Sequence, residues 1–152
     1  MIIQFRQHDI FNLNADYKVI FGHCGLNEMN ISWREFAKLH SQIRHIENPF
    51  THFANESLFV EGCLHYFISD REGNSSDERL REILFARLSD ANEKLANHVI
   101  TNGVDGGQSR PQYIVNVIRD WRNQNPNTSI ETVTLTSLSD DYIAVFHEPI
   151  EL

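Results

Sequence analysis

The chain has 152 residues, 13 Lys and Arg against 21 Asp and Glu for a net charge of −8, and 41% hydrophobic and 22% charged residues. That length suits one domain, 1–152, with its own core, and the composition is that of a folded globular protein. The acidic balance argues against wholesale binding to nucleic acid or anionic membranes, which needs basic patches. No apolar run approaches the roughly 18 residues of a membrane span. The start, Met1-Ile2-Ile3-Gln4-Phe5-Arg6, lacks the basic-then-apolar order of a signal peptide, so the expected location is cytoplasmic. Cys24 and Cys63 have no framework spacing and read as buried free thiols. The histidines are scattered without HExxH or paired Cys/His spacing, so no metal site and no cofactor are expected.

Taken in order, residues 2–13 read as a strand and a turn, and Tyr17-Lys18-Val19-Ile20-Phe21 as a second strand ending in the loop Gly22-His23-Cys24-Gly25. Ser32 and Glu35 make a capping box, and Phe36, Leu39, His40 and Ile43 follow at helical spacing, with His40 a core or boundary residue. Residues 44–57 read as a loop packed by its own aromatics, able to overhang a pocket. Leu58 to Ser69 gives one or two strands with a bend at Gly62. Ser75 and Glu78 form a second capping box. Leu80, Ile83, Leu84, Leu88, Ala91 and Leu95 keep helical spacing behind it, and the charges between Asp77 and Arg87 form its solvated face. A strand at His98 to Thr101 leads into Asn102-Gly103-Val104-Asp105-Gly106-Gly107. A third capping box, Ser109 with Gln112, opens a helix with Pro111 in its first turn, buried through Ile114, Val117, Ile118 and Trp121 and ended before Pro126. A β-branched strand over 129–138 and a short helix over 139–146 close the chain.

Strands alternating with helices on this scale predict an α/β fold, a mixed and mostly parallel sheet flanked by helices. Ligands of such folds bind beyond the carboxyl ends of the strands, where both glycine loops fall. A glycine loop running into a capped helix suits an anion, because free N–H groups and the helix dipole favour negative charge. Asp-Gly and Gly-Gly are also ordinary turn formers, and Asp105 opposes phosphate unless it points away.

Two stretches together resemble the macro domains, the ADP-ribose-binding modules. Thr101-Asn102-Gly103-Val104-Asp105-Gly106 is similar to their second phosphate loop, and Gln7-His8-Asp9-Ile10 to their Gln-Gly-Asp-Ile motif. Glu61 to Phe67 resembles the edge of their central strand, and the order of elements after residue 58 fits to the end. The resemblance implies a macro-like fold and a small-molecule nucleotide ligand such as ADP-ribose. It puts Asp9 on the adenine amino group and the Ile10 N–H facing the base. Gly103, Val104, Asp105, Gly106 and Gly107 then wrap the diphosphate, Gly22 and His23 border the ribose, and Leu138 stands where an aromatic often stacks on adenine. The chain departs from the family where Asn-Ala-Ala-Asn is replaced by residues 20–24, where Gly25 is the one glycine of the first loop, and where Asp105 replaces an aromatic. Those departures imply that the fold survives better than any hydrolysis. The alternatives are an interaction protein with a degenerate pocket, and a hydrolase of ADP-ribose derivatives using His23 as acid/base. His23 and Cys24 are adjacent on extended chain and so face apart, against a catalytic pair. Asp105, Asp140 and Asp141 could bind a metal, but Asp140 and Asp141 are better read as first-turn charges of the last helix.

Overall fold

The computed structural model describes residues 1–22, 27–54, 56–69, 76–104, 110–138 and 148–152, the side chains of 27–30 excepted. Its elements are β1 (Ile2–Gln7), a 3-10 turn (Ile10–Asn12), β2 (Tyr17–Gly22), α1 (Asn27–Lys38), α2 (Pro49–His52), β3 (Ser57–Val60), β4 (Cys63–Ser69), α3 (Asp77–Glu93), β5 (His98–Thr101), α4 (Arg110–Gln124), β6 (Thr132–Ser137) and β7 (Ile150–Glu151). The seven strands form one sheet in the order β3-β4-β2-β5-β6-β1-β7. Neighbours from β4 through to β1 pair in parallel, and the two edges, β3 and β7, pair antiparallel. The fold is therefore α/β with a mixed, mostly parallel sheet.

Helices cover both faces because β2, buried at every position, alternates its side chains between two cores. Tyr17, Val19 and Phe21 pack with Leu80, Leu84 and Leu88 of α3 and Ile114, Val117, Ile118 and Trp121 of α4. Ile20 packs on the other side with Trp33, Phe36 and Ala37 of α1, Phe50 of α2, and Ile10 and Phe11 of the 3-10 turn. Trp33 is completely buried, and its indole N–H is satisfied by Ile46 O at 2.7 Å. Among the described residues no helix is long and apolar enough to cross a membrane.

Several local expectations shift. Helix α1 starts at Asn27, so Ser32 is a mid-helix residue rather than its cap. The buried stripe is Trp33, Phe36 and Ala37; Leu39, just past the helix end, is 76% exposed. The cap of α3 is Ser76, whose hydroxyl accepts from Arg79 N at 3.2 Å; Ser75 lies outside the described residues. Leu95 does not extend that stripe, because it follows the helix end in the left-handed region (φ 58°) and is 78% exposed. Nor is Arg87 on a solvated face: its guanidinium sits 3.8 Å above the Tyr66 ring and donates to Tyr17 Oη at 3.2 Å. The bend at Gly62 is a hairpin turn between two strands. Glu61 (φ 53°) and Gly62 (φ 74°) both take the positive φ that a two-residue connection of matching twist requires. Residues 44–57 include the short helix α2, capped by the Asn48 carboxamide on Phe50 N at 2.9 Å. Cys63 is a buried free thiol, as expected. Cys24, Ser109, Asp140, Asp141 and the expected helix 139–146 lie outside the described residues.

Candidate functional site

The five parallel strands end on one edge of the sheet, at Ser69, Gly22, Thr101, Ser137 and Gln7. The topology brings Asp9, Gly22, Gly103, Val104 and Leu138 to that edge, across the ends of the four consecutive strands β2, β5, β6 and β1. His23, Asp105, Gly106 and Gly107 lie outside the described residues.

Asp9 and Leu138 sit on neighbouring strand ends held together by short contacts. His8 N donates to Ser137 O at 3.0 Å, and the single Thr136 hydroxyl proton is shared between Arg6 O at 2.9 Å and His8 O at 2.6 Å. The Asp9 carboxylate is half-buried and caps the 3-10 turn, with Oδ1 accepting from Phe11 N at 3.0 Å. Its Oδ2 has no donor among the described residues. The Ile10 side chain is in the core, so only its backbone N–H, with no acceptor inside the turn, is available to a ligand. Leu138 is 47% exposed.

At the other pair of ends, Asn102 does what sequence reading missed. Its ladder partnership with β2 stops at Thr101, and its carboxamide takes over: Phe21 N donates to Oδ1 at 2.7 Å and Nδ2 donates to Phe21 O at 3.0 Å. An asparagine between a β-branched strand and a glycine was the available signal. The chain then turns, with Gly103 N donating to Thr101 Oγ1 at 3.3 Å and Val104 fully buried in the α3/α4 core.

The two glycines here face aromatic rings. A Cβ on Gly22 would stand 2.5 Å from Phe50 Cζ, and one on Gly103 would stand 3.0 Å from Phe21 Cε2. Phe50 and Phe21 are both buried. Bare backbone at these strand ends thus admits two rings, one on each face of the sheet.

Next to the glycine loop the helices α3 and α4 begin side by side. Tyr113 Oη donates to Asp77 O at 2.7 Å, and Arg110, the first residue of α4 and 5% exposed, places Nη1 4.0 Å from Asp77 Oδ1. A buried guanidinium where two helix dipoles point toward the edge raises the local potential there. No group of three or more His, Cys, Asp or Glu among the described residues could hold a metal ion.

No family model matches the sequence, and no curated protein matches it. Solved structures do. A tomato leucine aminopeptidase variant aligns with TM-score 0.62 at 10% identity over 90% of this chain and 32% of that one. The macrodomain of Thermus aquaticus DarG aligns with TM-score 0.54 at 9% identity over 89% of this chain and 97% of that one. This chain therefore spans about a third of the aminopeptidase and nearly all of the macrodomain. At such identities the likeness is one of fold, and the fold is macro-domain-like.

Proposed function

We propose that the carboxyl edge of the sheet binds ADP-ribose or a related nucleotide. Adenine lies against Asp9 and Ile10, and the phosphates lie against the backbone of the 103–107 loop and the start of α4. Gly22 and His23 border the ribose, and Leu138 meets the base. The observation carrying this reading is the meeting of Asp9, Gly22 and the Gly103–Val104 turn on one edge of a macro-like sheet. Asp9 keeps one carboxylate oxygen for a donor, and Arg110 with the α4 terminus supplies positive potential beside the loop. Isothermal titration with ADP-ribose tests it: heat is expected, and Asp9→Ala should weaken binding by about 1–3 kcal/mol, the range for hydrogen bonds involving a charged group. Folded protein giving no heat at millimolar ligand refutes the reading.

One observation favours a second reading, an interaction protein on the same scaffold. The Phe50 ring occupies the space beside Gly22, where the ribose would approach. If Phe50 closes the edge for good, Phe50→Ala creates nucleotide binding that the wild type lacks; under the first reading the wild type binds already.

A further inference from the structure

Asn102-Gly103 is the one Asn-Gly pair in the chain. The fold calls for each member separately. Asparagine closes the joint between β5 and β2, its Oδ1 accepting from Phe21 N at 2.7 Å and its Nδ2 donating to Phe21 O at 3.0 Å. Glycine follows because a Cβ at 103 would stand 3.0 Å from Phe21 Cε2 and 3.6 Å from Ile114 Cδ1, and both of those side chains are buried. Two packing needs therefore set side by side a primary carboxamide and the backbone nitrogen that crowding hinders least.

In an unrestrained chain that pair is chemically unstable. The Gly103 nitrogen attacks the Asn102 side-chain carbonyl carbon, and the new C–N bond closes a succinimide ring. The carboxamide nitrogen leaves as ammonia, carrying the proton that Gly103 gives up. Water then opens the ring at either carbonyl, giving aspartate or isoaspartate at position 102, and no oxidant or reductant takes part. In the fold, ring closure must break two hydrogen bonds. Ammonia departs with Nδ2, the donor to Phe21 O, and Gly103 loses the proton it donates to Thr101 Oγ1 at 3.3 Å. Asn102 is 7% and Thr101 1% exposed, so the joint is held away from the base and the water that the reaction uses. The Phe21 ring against Gly103 also leaves the backbone little room to turn.

From this geometry we infer that Asn102 is a deamidation site which the closed joint protects and its opening exposes, and that the change is one-way. The reaction proceeds from the open form, so its rate follows the population of that form. Its product cannot rebuild the joint. A carboxylate at position 102 has no donor for Phe21 O and sets a buried negative charge against that carbonyl. Isoaspartate in addition lengthens the main chain by a carbon. Each opening that ends in reaction thus removes a molecule from the native pool, and the carboxyl edge of the sheet loses the tie between β2 and β5.

The test is peptide mapping of the whole protein held at neutral pH, once native and once in urea, with tandem mass spectrometry locating each carboxyl formed. In urea Asn102 should convert ahead of every other asparagine. In the native protein it should convert about a hundredfold more slowly or less. Material converted in urea, refolded and separated by its added charge, should unfold at a urea midpoint about 1 M below that of unconverted protein. Gly103→Ala should slow the conversion in urea, where folding plays no part, because a side chain then shields the attacking nitrogen. Native Asn102 converting as fast as in urea overturns the protection. An unchanged midpoint overturns the one-way step, and conversion in urea unslowed by Gly103→Ala overturns the attack by Gly103 nitrogen.

Discussion

Asn102→Ala isolates the joint that holds the candidate site together. In a strand the N–H and C=O of one residue point to the same neighbour, and those of Phe21 point toward β5. There β5 has stopped pairing, and the Asn102 side chain stands in for it, with contacts of 2.7 and 3.0 Å. Both residues are buried, so alanine leaves two backbone groups without partners or water. At about 1–3 kcal/mol for each orphaned group, the loss is about 2–6 kcal/mol, a large share of the roughly 5–15 typical of a domain. With a urea m-value of about 2 kcal/mol/M, the midpoint of unfolding should fall by about 1–3 M. A shift below about 0.3 M would show that the clamp contributes nothing. Asn102→Asp separates the two bonds. It keeps an acceptor for Phe21 N–H but sets an oxygen against Phe21 O, and burial and that carbonyl both raise the folded pKa of the new carboxyl. Its deficit should therefore be smallest below the unfolded value of about 3.9, where the acid donates, and should grow as pH rises through the folded value.

Three further outcomes follow from the packing. His65, brought from 6.5 to about 4 by burial and then by Lys18, favours folding as a neutral ring. Stability is full above pH 6.5 and should fall by about 3 kcal/mol toward pH 4, at about 1.4 kcal/mol per pH unit; denaturation of His65→Phe across that range should be flatter. Gly22→Ala should destabilise by about 1–3 kcal/mol through overpacking against Phe50, yet cost much less in a Phe50→Ala background; additive losses in that cycle would remove the ring-on-glycine contact as the cause. The Asp90 pKa is lowered overall: burial raises it, but bonds from Lys94 and Tyr17 and the charges of Lys94 and Arg87 outweigh that. The stabilisation this brings is present above the unfolded pKa and lost as pH falls through the folded one, so Asp90→Asn should lose part of the acid sensitivity seen in thermal melts below pH 4.

The architecture was legible because the β-branched runs and the helical stripe at Leu80, Leu84 and Leu88 carry their periods openly. What failed was local. The Ser32/Glu35 spacing imitated a helix start, whereas the helix begins at Asn27 and carries Trp33 in its middle, inside the core. Strand β7 is two residues long and gave no pattern to read; it exists through its pairing with Ile2 and Ile3. Lys18 in a buried strand was visible in the sequence as a charge among Tyr17, Val19 and Ile20, but nothing along the chain indicated that Asp9 and Glu61 would be the carboxylates near it.

The glycines show why a motif says less than its packing. From sequence, Gly22 and Gly103 admit a ligand because nothing projects from them. In the fold the same bareness admits Phe50, closer to Gly22 than a Cβ would allow, and Phe21, in tight contact with Gly103. The two uses compete only where ring and ligand claim the same face. Phe21 lies in the α3/α4 core against Gly103, on the face of the sheet opposite Phe50. Phe50, by contrast, belongs to the four-residue helix α2, anchored through Phe67 at 5.6 Å and its own cap at Asn48. Whether the edge is a pocket or a sealed surface thus depends on how firmly one short helix is held, and the Phe50→Ala titration reads that directly.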